Sequence, residues 1–252
     1  METLSVVVIC HNEVSNIEAC LESVTWADEI VVVDSGSTDR TVELSRGYTD
    51  RVYTRPWAGY PAQKNAAFDL AASDWILSLD ADERVTPGLA EKIKAVLAAS
   101  DPGLDGYFLR RKVFYGRKWL RYGGFHPERI LRLFRRGRGR CSDRTVHETI
   151  EVTGKTGLLQ GYLEHYTYKS VSDYLQRLER YSSLSAEEYH RQGRTTGPVR
   201  MSGHAIFSFL QMFIFRRGFL DGYEGFLLAV LYSFYTFAKY AKLKELAEGA
   251  RA

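Results

Sequence analysis

The chain is poor in cysteine, with only Cys10, Cys20 and Cys141 among 252 residues. Their spacing suits neither a zinc site nor a paired disulfide framework, so reduced thiols in a cytosolic setting are expected. No basic segment followed by a long apolar run and a small-residue cleavage site opens the sequence, and no secretory signal is expected. No apolar stretch approaches the roughly 20 uninterrupted residues that a bilayer-spanning helix requires. A GxGxxG fingerprint is missing after the first β-branched run, where CHNEVSN stands instead, which argues against a dinucleotide oxidoreductase. Neither sign of charge dominates: the net charge of +3 implies no nucleic-acid partner. Internal repeats and low-complexity tracts are also missing.

What the sequence does contain is ample apolar material, 45% of the residues, enough for a large core. The first hundred residues alternate β-branched runs with helical patterns. LSVVVIC, EIVVVD, DRVYT and WILSLD alternate with helical stretches over 15–24, 38–46 and 61–72. This order predicts βα units around a mostly parallel sheet buried on both faces. From about residue 106 the strands GYFLRRKVFY, RILRLF, HETIEV and GYLEHYTY follow with glycine and charge between them, predicting a mixed extension of that sheet. Residues 171–190 place apolar groups at helical spacing opposite Asp173, Arg177, Glu179 and Arg180. Lys and Arg crowd residues 110–144, and a local positive field there suits an anionic substrate.

In parallel sheets ligands bind outside the carboxyl ends of the strands, and Glu13, Asp34, Asp80 and Asp82 all fall there. One aspartate at a strand end is ordinarily a turn or cap residue; four acidic groups in register point to a site. Asp34 opens the turn DSGSTD, where small residues admit a flat ligand and a carboxylate can accept bonds from a nucleoside. Asp80 and Asp82 are two apart, so in an extended segment they face the same way and can share a hard cation. Mg2+ or Mn2+ joins one or two carboxylates to a diphosphate and keeps several waters. Glu83 alternates away from that face and is expected to pair with an arginine.

SVVVICHNEVSNIEACLESV, EIVVVDSGSTDRTVEL, GYPAQKNAAFDLAASDWILSLDADERV and RTVHETI together resemble the family 2 glycosyltransferases, which have the GT-A nucleotide-diphospho-sugar transferase fold. The match covers about residues 3–150. Within that family WAGYPAQKN, VHE and GFLDGYEGF are similar to the lipopolysaccharide inner-core β-1,4-glucosyltransferases. The resemblance implies an α/β domain over 1–170, its nucleotide half about 1–105 and its acceptor half about 106–170, then a helical region over 171–252. It implies transfer of a hexose, glucose foremost, from a UDP-sugar with inversion, assisted by Mg2+ or Mn2+. Carried over position by position, Asp34 holds the uracil or ribose, and Glu13 lies on the loop beneath the same nucleoside. Lys64 faces the nucleotide, Asp82 ligates the metal directly, and Asp80 stands nearer the ribose while sharing the cation. Where the family commonly has proline, this chain has Val8 or Ile9. The acidic pair that usually supplies the catalytic base is missing, leaving Glu148, with Asp143 as the alternative, to take the acceptor hydroxyl's proton.

His165 is a candidate third metal ligand, against the reading of a hydrogen-bonded structural histidine. His126, in YGGFHPER, Arg129 and His147 are candidates for the acceptor side. Arg132 and Arg135 could meet phosphates of a glycolipid, or could belong to a solvated basic face. The apolar segment AIFSFLQMFIFRRGFLDGYEGFLLAVLYSFYTFAKYAKLKE, followed by lysines, is expected to form membrane-surface helices and a peripheral association with the cytoplasmic face of the inner membrane. Packing on the domain, or a homo-oligomer interface, is the competing reading. The same donor chemistry on a peptide or another polysaccharide, and a non-catalytic nucleotide-sugar-binding membrane module, also remain open.

Overall fold

The computed structural model describes residues 1–99, 103–142 and 149–249. Its elements run β1 (Leu4–Cys10), α1 (Ile17–Glu22), β2 (Glu29–Asp34), α2 (Thr41–Ser45), β3 (Val52–Thr54), α3 (Tyr60–Leu70), β4 (Trp75–Asp80), β5 (Glu83–Val85) and α4 (Pro87–Ala98). There follow β6 (Gly106–Tyr115), β7 (Lys118–Leu120), β8 (Glu128–Arg135), β9 (Gly139–Cys141), β10 (Ile150–Val152) and β11 (Thr156–Tyr168). The chain then turns helical, with α5 (Val171–Arg191), α6 (Pro198–Leu210), a π-helical turn (Gln211–Phe215), a 3-10 turn (Gly218–Asp221) and α7 (Tyr223–Gly249).

The main sheet has the order β3-β2-β1-β4-β8-β6-β11-β5, with β7 added to β6. Its first four strands are parallel, as expected for βα units. The extension is mixed, since β8 runs antiparallel to β4 and β6, and β5 antiparallel to β11. Every residue of β1 is buried, and alternation along it divides the core. Leu4, Val6, Val8 and Cys10 face a layer built from α1 and α4, including Ile17, Leu21, Leu89 and Ile93. Val7 and Ile9 face the opposite layer, where Ala67 and Phe68 of α3 meet Phe134 of β8. Burial on both faces explains why these strands read as continuous apolar runs.

The described residues divide into two compact units, Met1–Arg111 with Glu128–His165, and Lys112–Pro127 with Tyr166–Ala252. The division crosses β6 and β11, whose outer ends pack with helices. Val113 and Leu120 share a core with Tyr174, Leu178, Met212 and Leu228. Ser170 caps α5 by accepting a bond from the Asp173 amide at 3.1 Å, which sets the helix start read from the sequence.

In the second unit GFLDGYEGF forms a tight corner. The buried carboxylate of Asp221 accepts bonds from the amides of Arg121 and Tyr122 at 3.0 and 2.8 Å. Gly225 lies so close to the backbone of Gly218 that a Cβ there would overlap the Gly218 carbonyl oxygen. Gly225→Ala is therefore expected to lower the stability of this unit by about 1–3 kcal/mol despite alanine's better helix propensity; a denaturant titration followed by circular dichroism checks it.

Candidate functional site

The parallel register sets the site's frame. Cys10 pairs with Asp34 and Ile9 with Asp80, so the two carboxylates flank the end of β1 at one level. Asp34 is buried, and its Oδ2 accepts from the amides of Gly36 and Ser37, each at 2.9 Å. Its Oδ1 accepts from the Ser37 hydroxyl at 2.5 Å. The turn is thus built around the carboxylate, and the cap role and the site position coincide in one residue. The next loop is pinned to it. Ser37 Oγ accepts from the Asn12 amide and Asn12 Oδ1 from the Thr38 amide, both at 2.8 Å. Glu13 follows, its amide donating to Thr41 Oγ1 at 2.8 Å and its carboxylate accepting from Asn16 Nδ2 at 2.7 Å.

At the end of β4, Asp80 meets two cations. Lys64 Nζ, buried on α3, lies 3.1 Å from Oδ1, and Arg132 Nη2 lies 2.5 Å from Oδ2. Burial alone would raise the pKa of this carboxyl. Arg132 and Lys64 outweigh burial and hold it well below the usual carboxylate range. The stabilisation from Asp80 is complete above the ordinary carboxylate pKa of about 4 and is lost only as pH falls toward the depressed value. Asp80 is therefore a permanent anion at neutral pH.

Arg132 owes its aim to an irregularity in β8. Tyr107 pairs with Leu133 and Phe108 with Leu131, so Arg132 is the extra residue of a β-bulge, a device that redirects a side chain. The expectation that Arg132 and Arg135 meet an acceptor's phosphates does not match their placement. Arg132 is buried and bridges Asp80 to Glu83 Oε1 at 2.8 Å, while Arg135 binds Glu2 at 2.7 Å and lies over the Trp75 ring. Glu83 is fully buried and pairs with arginine as expected, its Oε1 meeting Arg111 at 3.0 Å as well. It does not turn away from Asp80, however, because its Oε2 accepts from the Asp80 amide at 3.0 Å.

Asp82 and His165 are brought together by β5. This three-residue strand is too short to show a period in the sequence, yet it pairs Glu83 with His165 and Val85 with Leu163. Asp82, one residue before β5, thereby reaches His165, with Oδ2 3.3 Å from Nε2 and both side chains largely buried. A carboxylate oxygen and an imidazole nitrogen at this separation fit two adjacent positions around Mg2+ or Mn2+, whose other positions are ordinarily water and phosphate. Among the described residues no group of three His, Cys, Asp or Glu side chains forms a complete metal cage, and a site of this kind does not need one.

Asn65, next to Lys64, clamps the end of β9 in the adjoining β9–β10 hairpin. Its Oδ1 accepts from the Cys141 amide at 2.8 Å and its Nδ2 donates to the Cys141 carbonyl at 3.1 Å. Across the hairpin the Ser142 amide donates to the Thr149 carbonyl at 3.0 Å. Asp143, His147 and Glu148, the candidates for base and acceptor contact, lie outside the described residues. Arg129 is exposed on β8 in the first unit, and His126 belongs to the second, where its ring meets Trp119 edge-on at 5.6 Å.

Comparisons with known proteins agree with this frame. The model of the glycosyl transferase family 2 matches residues 5–167. An uncharacterised glycosyltransferase of Rickettsia typhi is 30% identical, the alignment covering 100% of this chain and 90% of the relative. The lipopolysaccharide core biosynthesis glycosyltransferase LpsC of Rhizobium meliloti is 34% identical, covering 95% of this chain and 91% of its own. Among solved structures, glucosyl-3-phosphoglycerate synthase from Mycobacterium tuberculosis, in complex with Mn2+, UDP and glucosyl-3-phosphoglycerate, aligns at 25% identity over 46% of this chain and 45% of its own, with a TM-score of 0.37. So partial a likeness bears no weight for the chemistry here.

The Arg132 bridge predicts a measurable coupling. Arg132→Met should destabilise the fold by about 3 kcal/mol, because Glu83 keeps Arg111 but loses one partner for a fully buried charge. Adding Glu83→Leu should recover part of that loss, and a double-mutant cycle by denaturant unfolding measures it.

Proposed function

The chain belongs to glycosyl transferase family 2, with its GT-A fold, and from that premise we propose that it is an inverting, metal-assisted hexosyltransferase. On this reading it moves glucose from UDP-glucose to a lipid-linked saccharide, the inner core of lipopolysaccharide, at the cytoplasmic face of the inner membrane. The observation that carries the reading is the alignment of Asp34, Asp80 and the Asp82–His165 pair along one rim of the sheet. A similarity to LpsC along nearly the whole chain supports the choice of acceptor. Among the described residues no helix is long and apolar enough to cross a membrane, so the association we propose is peripheral.

The roles follow from the contacts. The loops of Asp34 and Glu13, tied together through Asn12, Ser37 and Thr38, form the nucleoside side, and the residues about 1–105 are the nucleotide half. Asp80, both of whose oxygens are engaged by Lys64 and Arg132, stands at the ribose and diphosphate and orients Lys64 toward the donor. Asp82 and His165 would hold Mg2+ or Mn2+, which when bound offsets the charge that develops on the departing diphosphate. The acceptor half, about 106–170, supplies the base. Glu148 takes the proton of the acceptor hydroxyl as its oxygen attacks C1 in line with the leaving UDP, inverting that carbon. Its neighbour in the chain, His147, is suited to orient it, which favours Glu148 over Asp143. Arg129, His126 and His147 are assigned to the acceptor side.

Two measurements test the scheme. In calorimetry with UDP, Mn2+ should enhance binding to the wild-type chain, and Asp82→Ala should remove the enhancement; binding that ignores metal would refute the cation site. Glu148→Gln should leave UDP binding intact and lower transfer from UDP-glucose by a factor of about 100 or more. Turnover retained in Glu148→Gln but lost in Asp143→Asn would move the base to Asp143.

A further inference from the structure

The second unit leaves a continuous apolar face open to solvent. On α7 the exposed side chains Tyr223, Phe226, Val230, Phe234 and Phe237 recur at intervals of three and four, which on a helix makes one stripe. On α6 the exposed Val199, Ile206 and Leu210 stand seven and four residues apart with Phe207 beside them, and Ile214 and Phe215 continue the exposed apolar surface into the π-helical turn. The stripes adjoin, since the Phe226 ring packs edge-on against Phe209 and Phe213 with centroids 6.1 and 5.7 Å apart. Exposed aromatic surface of this extent marks a place where another apolar phase docks.

Charge on the same face selects the occupant. Between Pro198 and Gly222 the exposed ionic side chains are Arg200, Arg216 and Arg217. The one carboxylate in that stretch, Asp221, is buried against the Arg121 and Tyr122 amides. The lysines that follow are already occupied: Lys242 binds Glu179 and the Ser182 and Ser183 hydroxyls, Lys244 binds Glu248, and Lys239 lies over Tyr189 and Tyr240. A two-fold contact through this face would set the Arg216–Arg217 corner near its own copy, like charge beside like. An anionic bilayer instead offers acyl chains for the aromatics and phosphates for the arginines.

We propose that this face docks on an anionic phospholipid surface, with α6 and the first turns of α7 lying in the interfacial plane. Phe215, Phe219 and Tyr223 enter the headgroup region, and Arg216 and Arg217 contact lipid phosphate. The inference concerns this unit alone and rests on the peripheral association proposed above, which it deepens, but not on the sugar, the metal or the acceptor used in transfer.

The test is sedimentation of the full chain with vesicles of phosphatidylcholine alone and of phosphatidylcholine with phosphatidylglycerol, in low and high salt. Binding should require phosphatidylglycerol and weaken with salt. Arg216→Gln with Arg217→Asn should lower partitioning about fivefold per charge removed, and Phe215→Ser with Tyr223→Ser by about tenfold or more. Hydrogen exchange on the wild-type chain gives a readout that needs no variant: amides of residues 206–226 should gain protection on anionic vesicles. A wild-type chain that ignores these vesicles overturns the proposal. So does a dimer in sedimentation velocity that Phe215→Ser with Tyr223→Ser dissociates, since the face is then an interface between copies.

Discussion

One buried guanidinium organises the charged end of the sheet. Arg132 reaches Asp80 and Glu83 together, and without it three carboxylates, Asp80, Asp82 and Glu83, would crowd four positions and lean on Lys64, Arg111 and His165. Desolvating an arginine is expensive, and Asp80 and Glu83 outweigh that expense, holding its pKa above the ordinary value. The bridge also divides labour. Glu83 becomes a structural anion held by Arg111 and Arg132, Asp80 an ionised group aligned with Lys64, and Asp82 the residue left to His165.

The wider frame serves that bridge. Two-sided burial of β1, β2 and β4 fixes their register, so Asp34 and Asp80 end at one level on either side of β1. A bulge in β8 delivers Arg132 from the antiparallel side, and the short β5–β11 pairing delivers His165. Parallel and antiparallel parts of the sheet thus contribute different chemistry to one rim: anions from the first, a guanidinium and an imidazole from the second.

The second unit obeys a different logic. Its core is small and mostly aliphatic with aromatic rings packed around it, and its corner is held by Asp221 and by the close passage of Gly225 over Gly218. That close packing explains Gly218 and Gly225 of GFLDGYEGF, and the exposed rings of Phe219 and Phe226 each keep one side against Phe213. The lysines expected to face a membrane turned out to bind Glu179, Glu248 and tyrosine rings, and the arginines of the corner carry the exposed charge instead. A lysine's sequence position does not say whether a carboxylate on a neighbouring helix lies within its reach.

The strands β1, β2 and β4 and the long helix α5 were legible in the sequence, because burial on two faces produces unbroken β-branched runs and burial on one face produces a 3.6-residue period. The carboxylates at the strand ends were legible too, since a parallel sheet has only one edge at which strands discharge into βα loops. The pairing of Glu83 with an arginine could be anticipated from charge balance, but not which arginine. Arg132 looked like any member of a basic stretch until the bulge turned it inward, and His165 stands more than 80 residues from Asp82 in the chain. Local pattern alone determined the carboxylate-bearing rim of the sheet; only the tertiary structure decided its charge partners, because a three-residue strand and a one-residue bulge leave no periodic trace while redirecting a side chain.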